Sequence, residues 1–265
     1  MKKVVEQATV VEVKTIAQGI VQADLNCPQI AGLVLPGQFV TLEPGATGST
    51  CRRPFTVYSC DDTNIRLIIQ IVGPNTKACA NWQIKQPVEV LGPIGKPLSV
   101  NPSVECFLLV AGGCGLASLH LPAEQIASTT KARTIIVAGT KTKKQIFGQK
   151  DFERLGSVFK FATDAEDHKT AVELLQEILA GDNHLPNPGQ MQIITCGPVR
   201  MMQAVAKVAK DAGISCLAYI EQVMGCGGLG ACKSCVVPIR GQMPKYICQD
   251  GPVFPAEEVD WDELT

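Results

Sequence analysis

The sequence predicts a small antiparallel β-barrel, then an open α/β domain on a mostly parallel sheet, then a small cysteine-rich lobe. Three observations carry this. The first hundred residues hold short apolar runs divided by turn residues. After Pro102, fully apolar strands alternate with segments of helical spacing. From Tyr219 onward periodicity fades, while glycine and cysteine crowd together. The 265 residues are nearly twice the ~150-residue prior for one domain, so more than one is the default. The boundaries fall at 1–102, 103–218 and 219–265.

In the first part, residues 10–16 and 20–25 partly alternate apolar and polar, as half-buried strands do. Residues 39–42, 65–72 and 88–91 are further short runs, and Pro36-Gly37, Pro44-Gly45, Asp61-Asp62 and Gly92-Pro93 punctuate them. In the second part, Phe107-Leu108-Leu109-Val110-Ala111 is a buried strand entering a glycine turn, with a helix from about Leu116. Residues 134–138, 159–162 and 192–195 supply three more strands; 169–179 and 199–210 have helical apolar spacing.

Composition narrows the function. Hydrophobic residues make up 46%, ample for a core, and 24 basic against 25 acidic residues leave a net charge of −1 with no block of one sign. A nucleic-acid or anionic-membrane binder needs a basic face, so both are excluded as partners. No apolar run reaches the ~18 residues of a membrane helix. Met1-Lys2-Lys3 imitates the start of a signal peptide, but Glu6 and Gln7 break the apolar stretch that should follow. The chain reads as cytoplasmic. Twelve cysteines in a reducing compartment then need a reason. Cys27, Cys51, Cys60, Cys79, Cys106, Cys114, Cys196 and Cys216 are scattered, as small buried hydrophobes are. Cys226, Cys232, Cys235 and Cys248 are gathered, as metal or redox ligands are. The only histidines, His120, His168 and His184, are too far apart for a histidine metal site.

The gathered cysteines follow C-x5-C-x2-C-x12-C, with Gly225, Gly227, Gly228 and Gly230 around the first two. Thiolates suit iron or zinc, and glycines let a tight loop turn backbone N–H groups toward sulfur. A structural zinc site favours two C-x2-C knuckles; a single knuckle favours iron–sulfur. Upstream, Arg52-Arg53-Pro54-Phe55-Thr56-Val57-Tyr58-Ser59 sets a cation, an aromatic and a hydroxyl on one run, able to hold a phosphate and a flat ring. Gly73-Pro74-Asn75-Thr76 could open a helix and offer N–H groups to a pyrophosphate, or be a plain turn. Gly112-Gly113-Cys114-Gly115 after a buried strand lets backbone approach a dinucleotide. Thr195-Cys196-Gly197-Pro198 ends another strand, where Cys196 either faces a nicotinamide or is simply packed.

In this order the motifs resemble the ferredoxin–NADP reductase superfamily, and more closely the electron-transfer subunits of NAD-linked dihydroorotate dehydrogenases. The resemblance spans nearly the whole chain. It takes in Pro36-Gly37-Gln38-Phe39-Val40, Arg53-Pro54-Phe55-Thr56, Gly92-Pro93-Ile94-Gly95, Ala111-Gly112-Gly113-Cys114-Gly115 and Cys196-Gly197-Pro198. Glu221 and Met224 precede the cysteine loop, and Cys248-Gln249-Asp250-Gly251-Pro252-Val253-Phe254 with Asp260-Trp261-Asp262 closes it. Five residues stand in the first cysteine gap where four are usual; Asn75-Thr76 replaces Gly-Thr, tolerable because Asn also enters positive φ; Ser118 and Arg200 stand where prolines are usual.

The resemblance implies an FAD-binding barrel, an NAD(P)-binding α/β domain and a [2Fe–2S] lobe. It implies that Arg53, Pro54, Phe55, Thr56, Ile68, Ile69, Gln70, Gly73, Asn75 and Thr76 hold FAD. Gly112, Gly113, Gly115, Cys196, Gly197 and Pro198 hold NAD(H), and Cys226, Cys232, Cys235 and Cys248 the cluster. It further implies an FMN-containing catalytic partner in a heterotetramer of two plus two, oxidising dihydroorotate to orotate in pyrimidine biosynthesis. The alternatives are a subunit of an NADH-dependent ferredoxin:NADP oxidoreductase, another reductase with a different partner, or a zinc-bearing nucleotide-binding regulator. Lys141, Lys143 and Lys144 could meet a 2′-phosphate or form a solvated turn, which leaves NAD against NADP open.

Overall fold

Alternation in the first hundred residues closes on itself. β1 (Val4–Ala17), β2 (Ile20–Asn26), β3 (Phe39–Leu42), β4 (Arg53–Cys60), β5 (Asn64–Gln70) and β6 (Pro87–Ile94) form a barrel in the order β1-β2-β5-β4-β3-β6, every pair antiparallel. Closure leaves no sheet edge exposed. This computed structural model describes residues 3–43, 45 and 51–264. Met1 and Lys2 of the signal-like start, and Pro44 of the Pro44-Gly45 turn, lie outside the described residues.

β1 begins six residues before the alternation shows in the sequence, because a charge holds an inward position. Glu6, Ala8 and Val10 all face inward and are buried. The Glu6 carboxylate accepts N–H bonds from Gln29 (3.2 Å) and Ile30 (2.9 Å), at the start of the short helix α1 (Pro28–Ala31). A buried carboxylate is tolerated when its oxygens are satisfied, and a helix N-terminus supplies the donors. Ala23, Leu25, Val40, Leu42, Val57, Leu67 and Val90 complete the barrel interior, each 0% exposed. The helix α2 (Pro74–Ala80) follows β5.

The chain divides into two compact units: Met1–Leu98 with Glu221–Val236 and Lys245–Pro252, and Ser99–Ile220 with Val237–Pro244 and Val253–Thr265. The cysteine-rich segment is thus shared between the two units, where the sequence suggests a lobe of its own. Its part in the first unit carries all four gathered cysteines and the short helix α7 (Ile247–Asp250).

The second unit is a six-stranded sheet. β7 (Cys106–Gly112), β8 (Arg133–Thr140), β9 (Val158–Thr163), β10 (Met191–Cys196) and β11 (Ser215–Tyr219) are parallel. The short strands β12 (Val236–Val237) and β13 (Lys245–Tyr246) lie outside this sheet, and β14 (Val253–Pro255) adds antiparallel to β11. The order is β14-β11-β10-β7-β8-β9. Phe107, Leu108, Leu109, Val110 and Ala111 are all 0% exposed, as a strand covered on both faces must be. The helices α3 (His120–Thr129), α4 (Gln149–Arg154), α5 (Ala171–Gly181) and α6 (Val199–Asp211) connect the strands. α6 buries Met202, Val205 and Ala209 along one stripe. α5 starts at a capping box: Glu173 N–H donates to Thr170 Oγ1 (3.2 Å) and Thr170 N–H to Glu173 Oε2 (2.7 Å). Among the described residues no helix is long and apolar enough to cross a membrane.

Candidate functional site

The flavin motif lies where two barrel strands part. β4 pairs with β3 through Arg53–Thr56 and with β5 only from Val57, whose partner is Leu67. Beyond that pair the β4–β5 ladder stops. Arg53, Pro54, Phe55 and Thr56 therefore border one side of an opening, and Ile68, Ile69 and Gln70 the other, while the latter three pair outward with β2. The four β4 residues are half-buried, as lining groups are. The Arg53 guanidinium touches the Cys51 carbonyl at 3.4 Å, and Thr56 Oγ1 lies 3.4 Å from Glu221 Oε1.

α2 begins at Pro74, just after β5 ends at Gln70. Thr76 Oγ1 accepts from Gly73 N–H (3.1 Å) and Val72 N–H (2.9 Å), so Gly73-Pro74-Asn75-Thr76 opens a helix rather than forming a plain turn. Asn75 lies inside that helix and has no positive φ, so the left-handed tolerance expected of it is not used. A cation, an aromatic ring, a hydroxyl and a helix start on one opening fit a flavin dinucleotide's ring and phosphates.

In the second unit, both predicted nucleotide turns sit at the carboxyl ends of neighbouring central strands. β7 and β10 pair in parallel with Cys196 opposite Ala111, and the strand order reverses between them. That reversal is where open α/β sheets bind ligands. The turns pack on each other: a Cβ at Gly115 would collide with the Cys196 carbonyl, and one at Gly197 would lie 2.9 Å from Gly112 N. A Cβ at Gly112 would meet Met201 Sδ at 2.6 Å. Only Gly113, at φ +55°, faces open space. These glycines thus serve turn-to-turn packing first, with Gly113 left free for an incoming group. The chain continues as a 3₁₀ segment, Gly113–Leu119, and α3 starts at His120 rather than at Leu116. Cys196 is 1% exposed and belongs to the packed strand end, with Gly197 and Pro198 outside it.

The gathered cysteines all stand in the first unit, three on the loop 226–235 and Cys248 in α7, and they form two pairs. Cys235 and Cys248 are buried with sulfurs 3.4 Å apart. Cys226 N–H donates to Cys232 Sγ (3.2 Å), and Ser234 Oγ lies 3.1 Å from the same sulfur. Among the described residues no three histidine, cysteine or carboxylate side chains form a ready-made metal-binding group, so the thiols are gathered without being closed into a tetrad.

Cys226 and Cys248 differ in their electrostatics. Burial raises the Cys226 thiol, but N–H groups of Cys232 and Ala231, the Cys232 thiol and the Gly230 N–H outweigh it and hold it at about 6. Burial first, then the Cys235 thiol, push Cys248 up to about 12, with Lys3 opposing. Gly227, Gly228 and Gly230 all have positive φ, so the chain turns tightly within the first cysteine gap. Four soft donors, N–H groups aimed at sulfur and a glycine cradle fit an iron–sulfur cluster. The scattered thiols behave otherwise. Burial holds Cys27, Cys79 and Cys216 up at about 12 and Cys106 at about 11, so they are inert packing.

Two groups at this loop carry no sequence signal strong enough to find. Ser234 bridges it, accepting Gly225 N–H (2.8 Å) and donating to the Val223 carbonyl (3.3 Å); its place between Cys232 and Cys235 is the only hint. Thr41 is fully buried in β3, and its hydroxyl donates to the Gly227 carbonyl at 2.8 Å. Nothing in a four-residue strand separates it from ordinary β-branched packing.

Two stretches of the chain match known protein families. Residues 221–260 match the iron-sulfur cluster binding domain of dihydroorotate dehydrogenase B, and residues 109–207 the oxidoreductase NAD-binding domain. The dihydroorotate dehydrogenase B (NAD(+)) electron transfer subunit of Geobacillus thermodenitrificans is 32% identical, over 96% of this chain and 98% of its own. That of Bacillus caldolyticus is 31% identical over the same shares. A solved structure of an NADH-dependent reduced ferredoxin-NADP oxidoreductase, described for flavin-based electron bifurcation, superposes with a TM-score of 0.85 at 26% identity. It covers 97% of this chain and 91% of that one. With its barrel, parallel-sheet unit and four-cysteine loop in this order, the chain belongs to the family of dihydroorotate dehydrogenase B electron transfer subunits.

Proposed function

We propose that the protein carries electrons between NAD(H) and a catalytic flavoenzyme subunit, with FAD in the barrel opening and a [2Fe–2S] cluster on the four cysteines. The supporting observation is the shared unit: the opening at Arg53–Thr56 and the loop of Cys226, Cys232, Cys235 and Cys248 stand on one compact body. The bound flavin supplies the chemistry that links a two-electron hydride donor to a one-electron cluster. Arg53 holds the pyrophosphate by charge-assisted bonds, Phe55 packs on the ring system, and Thr56 places a hydroxyl at its edge. The α2 start at Gly73, Asn75 and Thr76 faces the phosphates, and Ile68, Ile69 and Gln70 supply backbone contacts. The two turns built by Gly112, Gly113, Gly115, Cys196, Gly197 and Pro198 hold the nicotinamide dinucleotide at the strand-order reversal, with Gly113 facing the open space. No histidine takes a catalytic part: His120 is buried against Phe152, with ring centroids 5.0 Å apart.

The functional division of the chain remains 1–102 for FAD, 103–218 for NAD(H) and 219–265 for the cluster. Val223 and Leu229, 76% and 64% exposed, flank Cys226 in sequence and offer apolar surface to the partner. That partner is an FMN-containing dehydrogenase in a cytoplasmic heterotetramer of two plus two, oxidising dihydroorotate. The solved ferredoxin-NADP oxidoreductase favours a second reading, a subunit that serves ferredoxin and NADP. Mixing the anaerobic chain with a purified FMN-containing dihydroorotate dehydrogenase subunit separates the two. Dihydroorotate-dependent NADH formation by the mixture supports the first; NADPH- and ferredoxin-dependent turnover with no dihydroorotate activity sinks it.

A further inference from the structure

We propose that Thr41 and Lys3 in the barrel unit are positioning residues for the cluster loop, clamping the Gly227-Gly228 turn within the first cysteine gap. The inference rests on the cluster reading above. Gly227 and Gly228 are consecutive left-handed residues, at φ +60° and +87°, and both are buried. Such a turn throws its carbonyls outward, and a buried carbonyl needs a donor. Both donors come from the barrel unit. Thr41 Oγ1 donates to the Gly227 carbonyl at 2.8 Å and Lys3 Nζ to the Gly228 carbonyl at 2.9 Å.

The turn is also boxed in sterically. A Cβ at Gly227 would lie 2.8 Å from Arg52 Cβ, and one at Gly228 2.5 Å from Ile94 Cδ1. Arg52 is itself tied to Glu89 by an ion pair. On the strand beside it, Thr41 stands opposite Pro54, inside the flavin motif. One hydroxyl therefore fixes the cluster turn to the ladder that carries the flavin residues.

The clamp reaches sulfur through the chain. Next to the turn, Cys226 N–H donates to Cys232 Sγ at 3.2 Å, and Gly225 N–H donates to Ser234 Oγ, which lies 3.1 Å from the same sulfur. Hydrogen bonds to cluster sulfurs and solvent access set cluster potential. Releasing the turn loosens those bonds, which favour the more negative reduced cluster, so the potential falls and the cluster is lost faster.

The test compares T41V, T41S and K3M in the anaerobically purified holoprotein. Two readouts suffice: the rate at which a chelator strips the cluster, followed in the visible, and the cluster midpoint in a redox titration followed by electron paramagnetic resonance. T41V should speed stripping about tenfold, the effect of one buried acceptor left without its donor, and shift the midpoint negative. T41S should restore both to within about twofold, since it keeps the hydroxyl. K3M should move both the same way by less, because its bond is only partly buried where that of Thr41 is fully buried. Wild-type stripping and midpoint in T41V and K3M overturn the inference; if T41V does not fold, an unchanged K3M overturns it alone. A wild-type protein without iron instead overturns the cluster reading on which the clamp depends.

Discussion

Arg53 is the residue on which the flavin assignment stands. It is the half-buried cation at the mouth of the β4–β5 opening, and its loss leaves a phosphate without a charge-assisted partner. Arg53→Ala should weaken FAD by roughly 10- to 100-fold, from the ~1.5–3 kcal/mol of such a bond, as read by flavin content after gel filtration. Full retention would place the cofactor elsewhere. Of the scattered cysteines, Cys27, Cys79, Cys106, Cys196 and Cys216 are buried as the sequence suggests, while Cys51, Cys60 and Cys114 are only half-buried, because spacing shows scatter but not burial. Burial puts Cys27, Cys79 and Cys216 at about 12 and Cys106 at about 11, against an ordinary value of 9.0. A thiol raised on folding leaves stability intact below pH 9 and erodes it as pH climbs toward 12, since the unfolded chain ionises first. The denaturation midpoint should fall over that window, and Cys216→Ala should lessen the fall; a flat profile to pH 11 contradicts the burial. Glu6 shows why some positions resist reading. A charge at an inward strand position looks like a break in the pattern until the N–H groups of Gln29 and Ile30 explain it.

Among elements, those with a long apolar run or a clean stripe were legible and those held by neighbours were not. β7 and α6 follow from periodicity alone, at 107–111 and 199–210. β11 and β14 do not, because Ser215–Tyr219 is short and Val253–Pro255 becomes a strand only by pairing with β11. The start of α3 is displaced for a similar reason: the close approach of Gly115 to Cys196 forces a 3₁₀ segment first. Gly115→Ala should therefore disrupt the strand-end pair, weakening NADH binding and lowering the melting temperature together; a change in NADH affinity alone would point to ligand contact instead. At α5, Thr170→Ala removes one half of the capping box and should cost about 1 kcal/mol in chemical denaturation, with cofactor content unchanged. No loss there would mean the cap is made by solvent.

At the scale of the whole molecule, family membership was legible because its motifs are local. The Arg53-Pro54-Phe55-Thr56 run, the two strand-end turns and the cysteine spacing each survive without tertiary knowledge. The division into units was not, since the segment after Tyr219 gives its cysteines to the barrel unit and β14 to the sheet unit. Long-range pairing decided that, and no window of sequence contains it. Function then separates into two electron steps. Replacing Cys232 by Ser should abolish transfer to the partner while NADH still reduces FAD, measured as diaphorase activity against partner-linked turnover. Equal loss of both would mean the loop supports the flavin rather than an onward step. The most direct test of the central claim is an anaerobic NADH titration of the purified chain, with iron, zinc and flavin counted in the same sample. The account predicts one FAD and about two irons per chain, with flavin and cluster absorbance both bleached by NADH. A colourless chain with one zinc and no iron, or a flavin that NADH reduces beside a cluster that never follows, would contradict it.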